Sequence, residues 1–198
     1  MRTTFRTAIV ALAASASLAA CMSTEGADMG VGASAEAGST VTVGGAPMYA
    51  NRNIVENAVH SRDHTTLVAA VKAAGLAETL SGAGPFTVFA PTNAAFERLP
   101  AGAVAGLLRP ENRAMLTSVL TYHVVPGSMT AADLMAAIRQ GGGMARLTTV
   151  QGAALTARMN GGAIVLTDAR GGTSTVTQAD VMQSNGVIHV TNAVSMPG

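Results

Sequence analysis

The sequence predicts an α+β domain, with helices mainly in the first half of the domain and antiparallel strands in the second. Apolar residues recur at i, i+3 and i+4 between residues 54 and 138, which is the period of a helix. From residue 147 onward they occur in short runs separated by turns that contain Gly or Asn, which is typical of strands joined as hairpins. Helices followed by strands, rather than alternating with them, indicate an α+β fold.

Residues 1–20 have the pattern of a signal peptide. Arg2 and Arg6 form a basic region ahead of an apolar stretch at residues 8–20. The stretch is thirteen residues long, and a helix that crosses a bilayer needs about 20 apolar residues. We therefore predict that this segment directs export and does not span the membrane.

Cys21 ends a Leu-Ala-Ala-Cys sequence that resembles a bacterial lipobox, in which the cysteine receives diacylglycerol and becomes the new N-terminus. The resemblance implies a protein held to membrane lipid through acylated Cys21. Met22 after the cysteine implies, by resemblance to Gram-negative sorting, the outer membrane. The alternative is an ordinary signal peptide cleaved nearby, which leaves a free thiol. Because Cys21 is the only cysteine, an internal disulfide is excluded.

Residues 22–50 are predicted to form a flexible tether, because Gly, Ala, Ser and Thr dominate them and no apolar period is visible. The lipidated cysteine and the tether together make up residues 21–50, and residues 51–198 then form one domain of ordinary size. The formal net charge of the chain is +1. Such a charge gives no electrostatic reason to expect binding of nucleic acid.

The domain opens with two predicted helices. Apolar residues from Ile54 to Val59 have helical spacing, and they recur at residues 67–74. Asp63 is a candidate N-cap for the second helix, and Gly75 is its candidate stop.

Two further helices are predicted before the strands begin. One starts near Pro110, whose missing amide proton is harmless in a first turn. The other starts at a Thr130/Asp133 capping box and ends at Gly141–Gly143. The inward face of the helix after Pro110 is predicted to carry Leu116, Val119, Leu120 and His123.

Between these helices lies the segment FTVFAPTNAAF, which holds three of the four phenylalanines of the chain. Phe86–Ala90 is an apolar run of aromatic and β-branched residues, as expected of a buried strand. Pro91 is predicted to end the strand, and Thr92 or Asn93 to cap a helix that contains Phe96. We expect this strand, corner and helix to form a nucleus for packing.

The last third of the chain is predicted to be β-structure, because its short apolar runs are separated by hairpin signals at Gln151-Gly152 and Asn160–Gly162. The predicted strands are Leu147–Val150, Ala153–Met159, Ala163–Thr167, Thr173–Thr177 and Val187–Thr191. The methionines of the domain are expected to fill gaps in a core that contains few aromatic residues.

At three places the sequence resembles the fasciclin-type domain family. Phe86–Phe96 is similar to the first signature box, Tyr122-His123 to the central Tyr-His motif, and Asn185–Val190 to the second box. The resemblance implies a single fasciclin-type domain, a compact antiparallel β-sandwich or wedge with helices packed on it. One departure is Thr191-Asn192, where the family usually has an acidic residue. The residues assigned to the structural motif are Phe86, Phe89, Pro91, Thr92, Asn93, Phe96, Asn185, Gly186 and His189.

Patterns that would indicate an enzyme or a metal site are weak. No Gly-x-Ser-x-Gly elbow accompanies the Tyr-His motif, and Gly141–Gly143 lacks the Lys-Ser/Thr of a phosphate loop. His60 and His64 have the spacing of a helical metal pair, but Asp63 between them favours a break in the helix. We therefore predict no catalytic residue, no metal site and no cofactor.

Two interpretations of Tyr122, His123 and His189 stay open at this stage. In the structural one, each histidine satisfies a backbone carbonyl or the Thr92-Asn93 corner. In the functional one, which the resemblance to animal members implies, the Tyr-His region belongs to an adhesive surface. The partner-binding residues would then be Leu120, Tyr122, His123, Val124 and Val125.

The sequence as a whole predicts a lipid-anchored, extracytoplasmic fasciclin-type domain that acts as a non-enzymatic module for surface interaction or cell adhesion. Its expected location is the cell envelope, and its expected partner is a surface protein or an envelope component. The alternative is a carrier of an apolar small molecule such as a carotenoid, since some members of the family bind carotenoids.

Overall fold

The computed structural model describes residues 40–198. Helices concentrate in the first part of this range, and strands dominate the part after residue 143. The helices are α1 (Ile54–Ala58), α2 (Thr65–Ala74), α3 (Ala77–Ser81), α4 (Asn93–Glu97), α5 (Ala103–Leu107), α6 (Arg113–Tyr122) and α7 (Ala131–Gln140). The strands are β1 (Thr40–Val43), β2 (Ala46–Tyr49), β3 (Phe86–Pro91), β4 (Val124–Pro126), β5 (Met144–Thr148), β6 (Ala154–Asn160), β7 (Ala163–Thr167), β8 (Thr173–Gln183) and β9 (Gly186–Thr191).

Seven of these strands form one sheet in the order β4-β3-β9-β8-β7-β6-β5. The α+β prediction is therefore confirmed. The sheet is mostly antiparallel, as predicted, with one exception: β3 and β9 run parallel, with Phe86 opposite Gly186. Strand β8 contains register shifts between Val176 and Val181. It pairs with β7 before these shifts and mainly with β9 after them.

Strand β3 separates two groups of buried apolar side chains, since successive residues of a strand point to opposite faces. Val88 packs into the group under α1, α2 and α6, and Phe89 packs into the group between α7 and the strands β5, β6 and β7. We call the first group the helical core; it includes Ile54, Leu67, Ala70, Val71, Leu80, Val88, Leu116, Leu120 and Val124. We call the second the hairpin core; it includes Phe89, Tyr122, Val125, Leu134, Ile138, Leu147, Leu155, Ala157 and Leu166.

The hairpin of β1 and β2 corrects the predicted tether. Its turn is Gly44-Gly45, and both glycines have positive φ, as a type I′ turn requires. Val43 and Met48 are buried in the helical core. The prediction of a tether up to residue 50 is therefore wrong for residues 40–50, which belong to the domain. Residues 1–39, with the predicted signal peptide and Cys21, lie outside the described part of the chain.

Local sequence signals determine most helix ends. The Thr130/Asp133 capping box is present, and Gly75 ends α2 in the left-handed conformation. Asp63 is not a cap, because it lies within a 3-10 turn, Arg62–His64, that precedes α2. A second 3-10 turn, Pro110–Asn112, precedes α6. Within residues 40–198, no helix has the length and apolar character needed to cross a membrane.

The expectation that the methionines fill the core holds only in part, since Met129 and Met135 pack against the hairpin core but most of the others do not. Four of the seven that lie after residue 50 are among the exposed large apolar side chains of the described chain. They are Met115, Met144, Met159 and Met182. The buried apolar side chains are mostly those of Val, Leu, Ala and Ile.

Candidate functional site

The corner after β3 is held by the side chains that the sequence indicates. The Thr92 hydroxyl accepts a hydrogen bond from the Ala95 amide and caps α4. The Asn93 side chain accepts from the Thr66 amide and donates to the Arg62 carbonyl, at 3.0 and 2.8 Å. Strand β3 itself continues through Pro91, one residue beyond the predicted end. The corner thus joins the sheet to the start of α2.

Asn185 and Gly186 join the two ends of the domain. The Asn185 side-chain oxygen accepts from the Ile54 amide at 3.0 Å, and its amide group donates to the carbonyls of Leu80 and Gly82. Gly186 has φ +155°, and a Cβ there would collide with the backbone of Phe86 on the neighbouring parallel strand. Only glycine allows this approach.

Tyr122 is 0% exposed and lies in the hairpin core. Its hydroxyl donates to the Ala154 carbonyl at 2.9 Å and accepts from the Ala169 amide at 3.0 Å. Burial raises the pKa of the phenol. The side chain therefore fastens α6 to β6 and to the turn after β7, and it has no free hydrogen-bonding capacity directed at solvent.

His123 is 3% exposed, and both of its ring nitrogens have partners. Nδ1 lies 2.8 Å from the Val119 carbonyl, and Nε2 accepts from the Ser195 amide at 3.0 Å. Because the carbonyl can only accept, Nδ1 carries the proton and the ring is neutral. Burial lowers the pKa of this histidine. The contact to the Thr92-Asn93 corner, one of the two predicted options, is not formed.

His189 lies on β9 and, like His123, has a partner at each ring nitrogen. It is 0% exposed, and its ring stacks on Phe89 with centroids 5.6 Å apart. Nε2 lies 2.8 Å from the Met129 carbonyl, and Nδ1 accepts from the Asp180 amide at 3.3 Å. This again selects the neutral ring, and burial lowers its pKa. The two motif histidines therefore tie backbone segments together from inside the fold.

His60 and His64 do not form a metal pair. His60 is exposed, whereas His64 is buried with Nδ1 2.8 Å from the Ser61 hydroxyl. The Nε2 atom of His64 makes no hydrogen bond within residues 40–198. Burial lowers the pKa of this histidine, and the nearby Ala90 carbonyl opposes part of that fall. No group of three or more potential metal ligands occurs within the described range.

The five residues predicted as a partner-binding patch are all buried. Leu120 and Val124 belong to the helical core, and Tyr122 and Val125 to the hairpin core. The prediction of an exposed patch at these positions is therefore corrected. It fails because Tyr122 and His123 close α6 with their side chains directed into the fold, where each finds backbone partners.

Sequence reasoning missed Asp168 and Asn57. Asp168 accepts hydrogen bonds from the amides of Arg170, Gly172 and Met196. The only local signal is the Asp-x-x-Gly-Gly sequence of an Asx-type turn. Asn57 is fully buried and pairs with the backbone N–H and C=O of Tyr49. Its role was hidden because residues 40–49 read as a tether.

Two apolar cavities lie in the helical core. The larger, of about 40 Å³, opens between α1 and α2, and Phe89 and His123 contribute to its lining. The smaller, of about 30 Å³, lies toward α3 and Val150. Leu80 and Val124 line both cavities. The remaining lining of the larger cavity is Ile54, Val55, Ala58, Leu67, Val68, Val71, Lys72, Val88 and Leu120.

An open groove of about 400 Å³, which we call the Met115 groove, lies between α5, the start of α6 and the C-terminal segment. Among its large apolar side chains Met115 is the most exposed, at 56%. The Arg170 side chain is at the groove and donates through Nε to the Pro197 carbonyl at 2.8 Å. The other lining residues are Leu99, Pro100, Ala103, Gly106, Leu107, Asn112 and Met196.

Comparison with known proteins gives a consistent result. The family model described as Fasciclin domain matches residues 62–197. The protein sll1483 of Synechocystis sp. is 52% identical over 144 residues, which are 73% of each chain. The immunogenic protein MPB70 of Mycobacterium bovis is 36% identical over 138 residues, covering 67% of this chain and 63% of that protein.

Among solved structures, a FAS1 domain pair from the insect cell adhesion molecule Fasciclin I matches with a TM-score of 0.65 and 19% identity. The match covers 72% of this chain and 50% of that one. At this level of identity the likeness concerns the fold, which agrees with the arrangement of helices and sheet described above.

Proposed function

The chain belongs to the fasciclin domain family, and from this premise we propose that it is an exported, non-enzymatic module that binds a surface protein or an envelope component. The two motif histidines support the non-enzymatic part of this proposal, because His123 and His189 are buried and hydrogen-bonded to backbone atoms. A general base must reach a substrate proton directly or through one water. Neither ring has that access.

The Met115 groove is the observation that carries the proposal of a binding module. Exposed contiguous apolar surface on a soluble domain marks interaction sites. Met115 extends into solvent beside the half-buried Leu99 and Met196, and Arg170 lies at the same groove. Methionine adapts to irregular partner surfaces, and arginine is enriched at interfaces. The groove thus takes the place of the buried Tyr-His region as the proposed contact surface.

Binding to native cell envelopes tests this proposal. Met115→Glu places a charge in the groove at an exposed position, so that the melting temperature should stay within error while binding falls at least tenfold. Met144→Glu is the matched control, because Met144 is 42% exposed at the start of β5, outside the groove. Equal binding by wild type and Met115→Glu would refute the assignment of the groove.

Anchoring through Cys21 is a second part of the proposal and rests on the lipobox resemblance. Wild-type protein should partition into the detergent phase, and Cys21→Ser should accumulate as unprocessed precursor. Identical processing and release of both forms would contradict lipidation. This experiment is independent of the groove, because Cys21 lies outside the domain described here.

The carrier alternative has one observation in its favour, the apolar cavity between α1 and α2. At about 40 Å³ it has room for about three water-sized groups, so a carotenoid would require the helices to separate. The visible absorption spectrum of protein purified from its native host tests the carotenoid version. A spectrum without visible bands would contradict carotenoid binding, and smaller apolar ligands would then be tested separately.

A further inference from the structure

The two cavities of the helical core form an interrupted apolar path. The larger opens between α1 and α2, and the smaller lies beyond Leu80 and Val124, which line both. The second cavity reaches Thr79 and Val150, which are exposed. Leu80 and Val124 are therefore the side chains that lie between the two cavities.

The chemistry of the lining selects the ligand. Nearly all of the surface that lines the two cavities is carbon. His123 also lines the larger cavity, but both of its ring nitrogens are already hydrogen-bonded to backbone atoms. Cavities of this kind stay dry and accept apolar groups. Volumes of about 40 and about 30 Å³ together hold about five methylene-sized groups. The shape suits a flexible chain rather than a rigid ring system.

A single cation stands at the entrance. Lys72 is the only charged residue that lines the larger cavity, and its side chain is exposed. Within residues 40–198 it takes part in no ion pair, since the one pair found there joins Arg109 and Glu111. A lysine places its stem along apolar surface and its ammonium group in water. The entrance therefore offers a counter-charge to an anionic head group.

We infer that this path binds an aliphatic chain that ends in an anionic head group, the chemistry of a fatty carboxylate. The chain enters between α1 and α2 and occupies the larger cavity, then displaces Leu80 to reach the smaller one. The carboxylate stays at the surface beside the Lys72 ammonium group. This inference gives a ligand class to the carrier alternative and rests on it, but not on partner binding at the Met115 groove.

Octanoate is the probe, with ¹H–¹⁵N correlation spectra of the domain as the readout. Shifts should concentrate at lining residues such as Ala58, Val68 and Leu80. Affinity should rise about fourfold for each methylene added from butanoate upward, and it should level off once both cavities are filled. Shifts that are absent, or spread evenly over the surface, would overturn the proposal.

Variants separate the chain from the head group. Lys72→Met should weaken octanoate binding about two- to fivefold, as expected for an exposed charge, and leave octan-1-ol binding unchanged. Ala58→Leu should fill the larger cavity and abolish binding of both probes. Ala69→Leu, on the exposed face of α2, is the matched control and should bind octanoate like wild type.

Each outcome has a separate meaning. Full octanoate binding by Ala58→Leu would overturn the cavity as the site. An equal loss of octanoate and octan-1-ol in Lys72→Met would overturn the role of the cation. Binding of Met115→Glu to envelopes is measured apart from these experiments, so failure of the lipid-chain site and failure of the surface module are distinguishable.

Discussion

The two cores of the domain are built from similar aliphatic residues but packed differently. In the hairpin core, Phe89, Tyr122 and Leu134 are completely buried, and the one hydroxyl among them has two backbone partners. The helical core contains both apolar cavities. Before α2, which packs in this core, the buried His64 has an Nε2 atom without a hydrogen-bond partner among residues 40–198. A close-packed group resists change, whereas a group with voids can rearrange. We therefore assign rigidity to the hairpin core and adaptability to the helical core.

The largest expected effect is at Phe89, the aromatic residue of the hairpin core on β3. Phe89→Ala should lower the free energy of unfolding by about 3–5 kcal/mol, because it removes a fully buried ring and the stacking on His189. Chemical denaturation measures it. Phe86→Ala, at a half-buried position of the same strand, is the control and should cost clearly less. Equal losses would show that burial does not distinguish the two rings.

The free energy of unfolding should fall in acid because three buried histidines become protonated more easily in the unfolded chain. Burial lowers the pKa of His64, His123 and His189 in the folded state below the ordinary 6.5. This outweighs the opposing effects of the backbone carbonyls that face the rings and, to a smaller extent, of Asp63, Asp168 and Asp180. Protonation then favours the unfolded state. The stabilisation is complete above pH 6.5 and is lost as the pH falls from 6.5 toward the lower folded-state pKa values.

The magnitude follows from linkage. Each histidine contributes a loss of up to about 1.4 kcal/mol per pH unit in this window. The three together contribute up to about 4 kcal/mol per pH unit as long as all of them remain neutral in the folded state. Denaturation midpoints at pH 7.5, 6.0 and 5.0 measure the slope. A free energy of unfolding that stays constant between pH 7.5 and 5.0 would contradict the neutral assignment.

His123 lies where the two cores meet, since it lines the larger cavity and follows Tyr122. His123→Ala should cost about 1–3 kcal/mol, because the Val119 carbonyl and the Ser195 amide lose their partner. His60→Ala, at an exposed position, is the control and should stay within about 0.5 kcal/mol of wild type. A His123→Ala protein as stable as wild type that no longer binds envelopes would instead move the functional site to the Tyr-His motif.

The last prediction makes the same chemical change, Val to Ile, once in each core. Val71→Ile adds a methylene at the cavity of the helical core and should stabilise the protein by about 0.8 kcal/mol. Val125→Ile adds the same group to the close-packed hairpin core and should destabilise it by about 1–3 kcal/mol. Thermal unfolding of both variants measures the difference. Shifts of the same sign would remove the distinction between the cores.

Sequence reasoning succeeded where the signal is local. The Thr92 cap, the Thr130/Asp133 capping box and the stop at Gly75 depend on side chains within a few residues of the backbone that they satisfy. The three motif segments identified the family, which the match over residues 62–197 shows.

It failed where the partner is remote in sequence. His123 accepts a hydrogen bond from the Ser195 amide, which is 72 residues away in the chain. The parallel pairing of β3 with β9 likewise has no local sequence signal. The hairpin at residues 40–49 does carry local signals, since Thr40–Val43 alternates polar and apolar residues and Gly44-Gly45 suits a tight turn. It was missed because its short strands were read together with the Gly- and Ser-rich residues that precede them. Its hydrogen bonds to Asn57, which the folded structure brings to Tyr49, could not be predicted from either segment alone.

The parallel pair of β3 and β9, next to the edge strand β4, also constrains when the domain can fold. Phe86 faces Gly186, so that the strands of this pair are 100 residues apart in the chain. A chain emerging from the ribosome carries β3 and the helices around it long before β9 exists. Contacts of such separation slow folding, because a large loop must close before they form. We expect a chain truncated after Gln183 to stay unfolded, and a chain that extends to residue 198 to fold only once residues 184–198 are available.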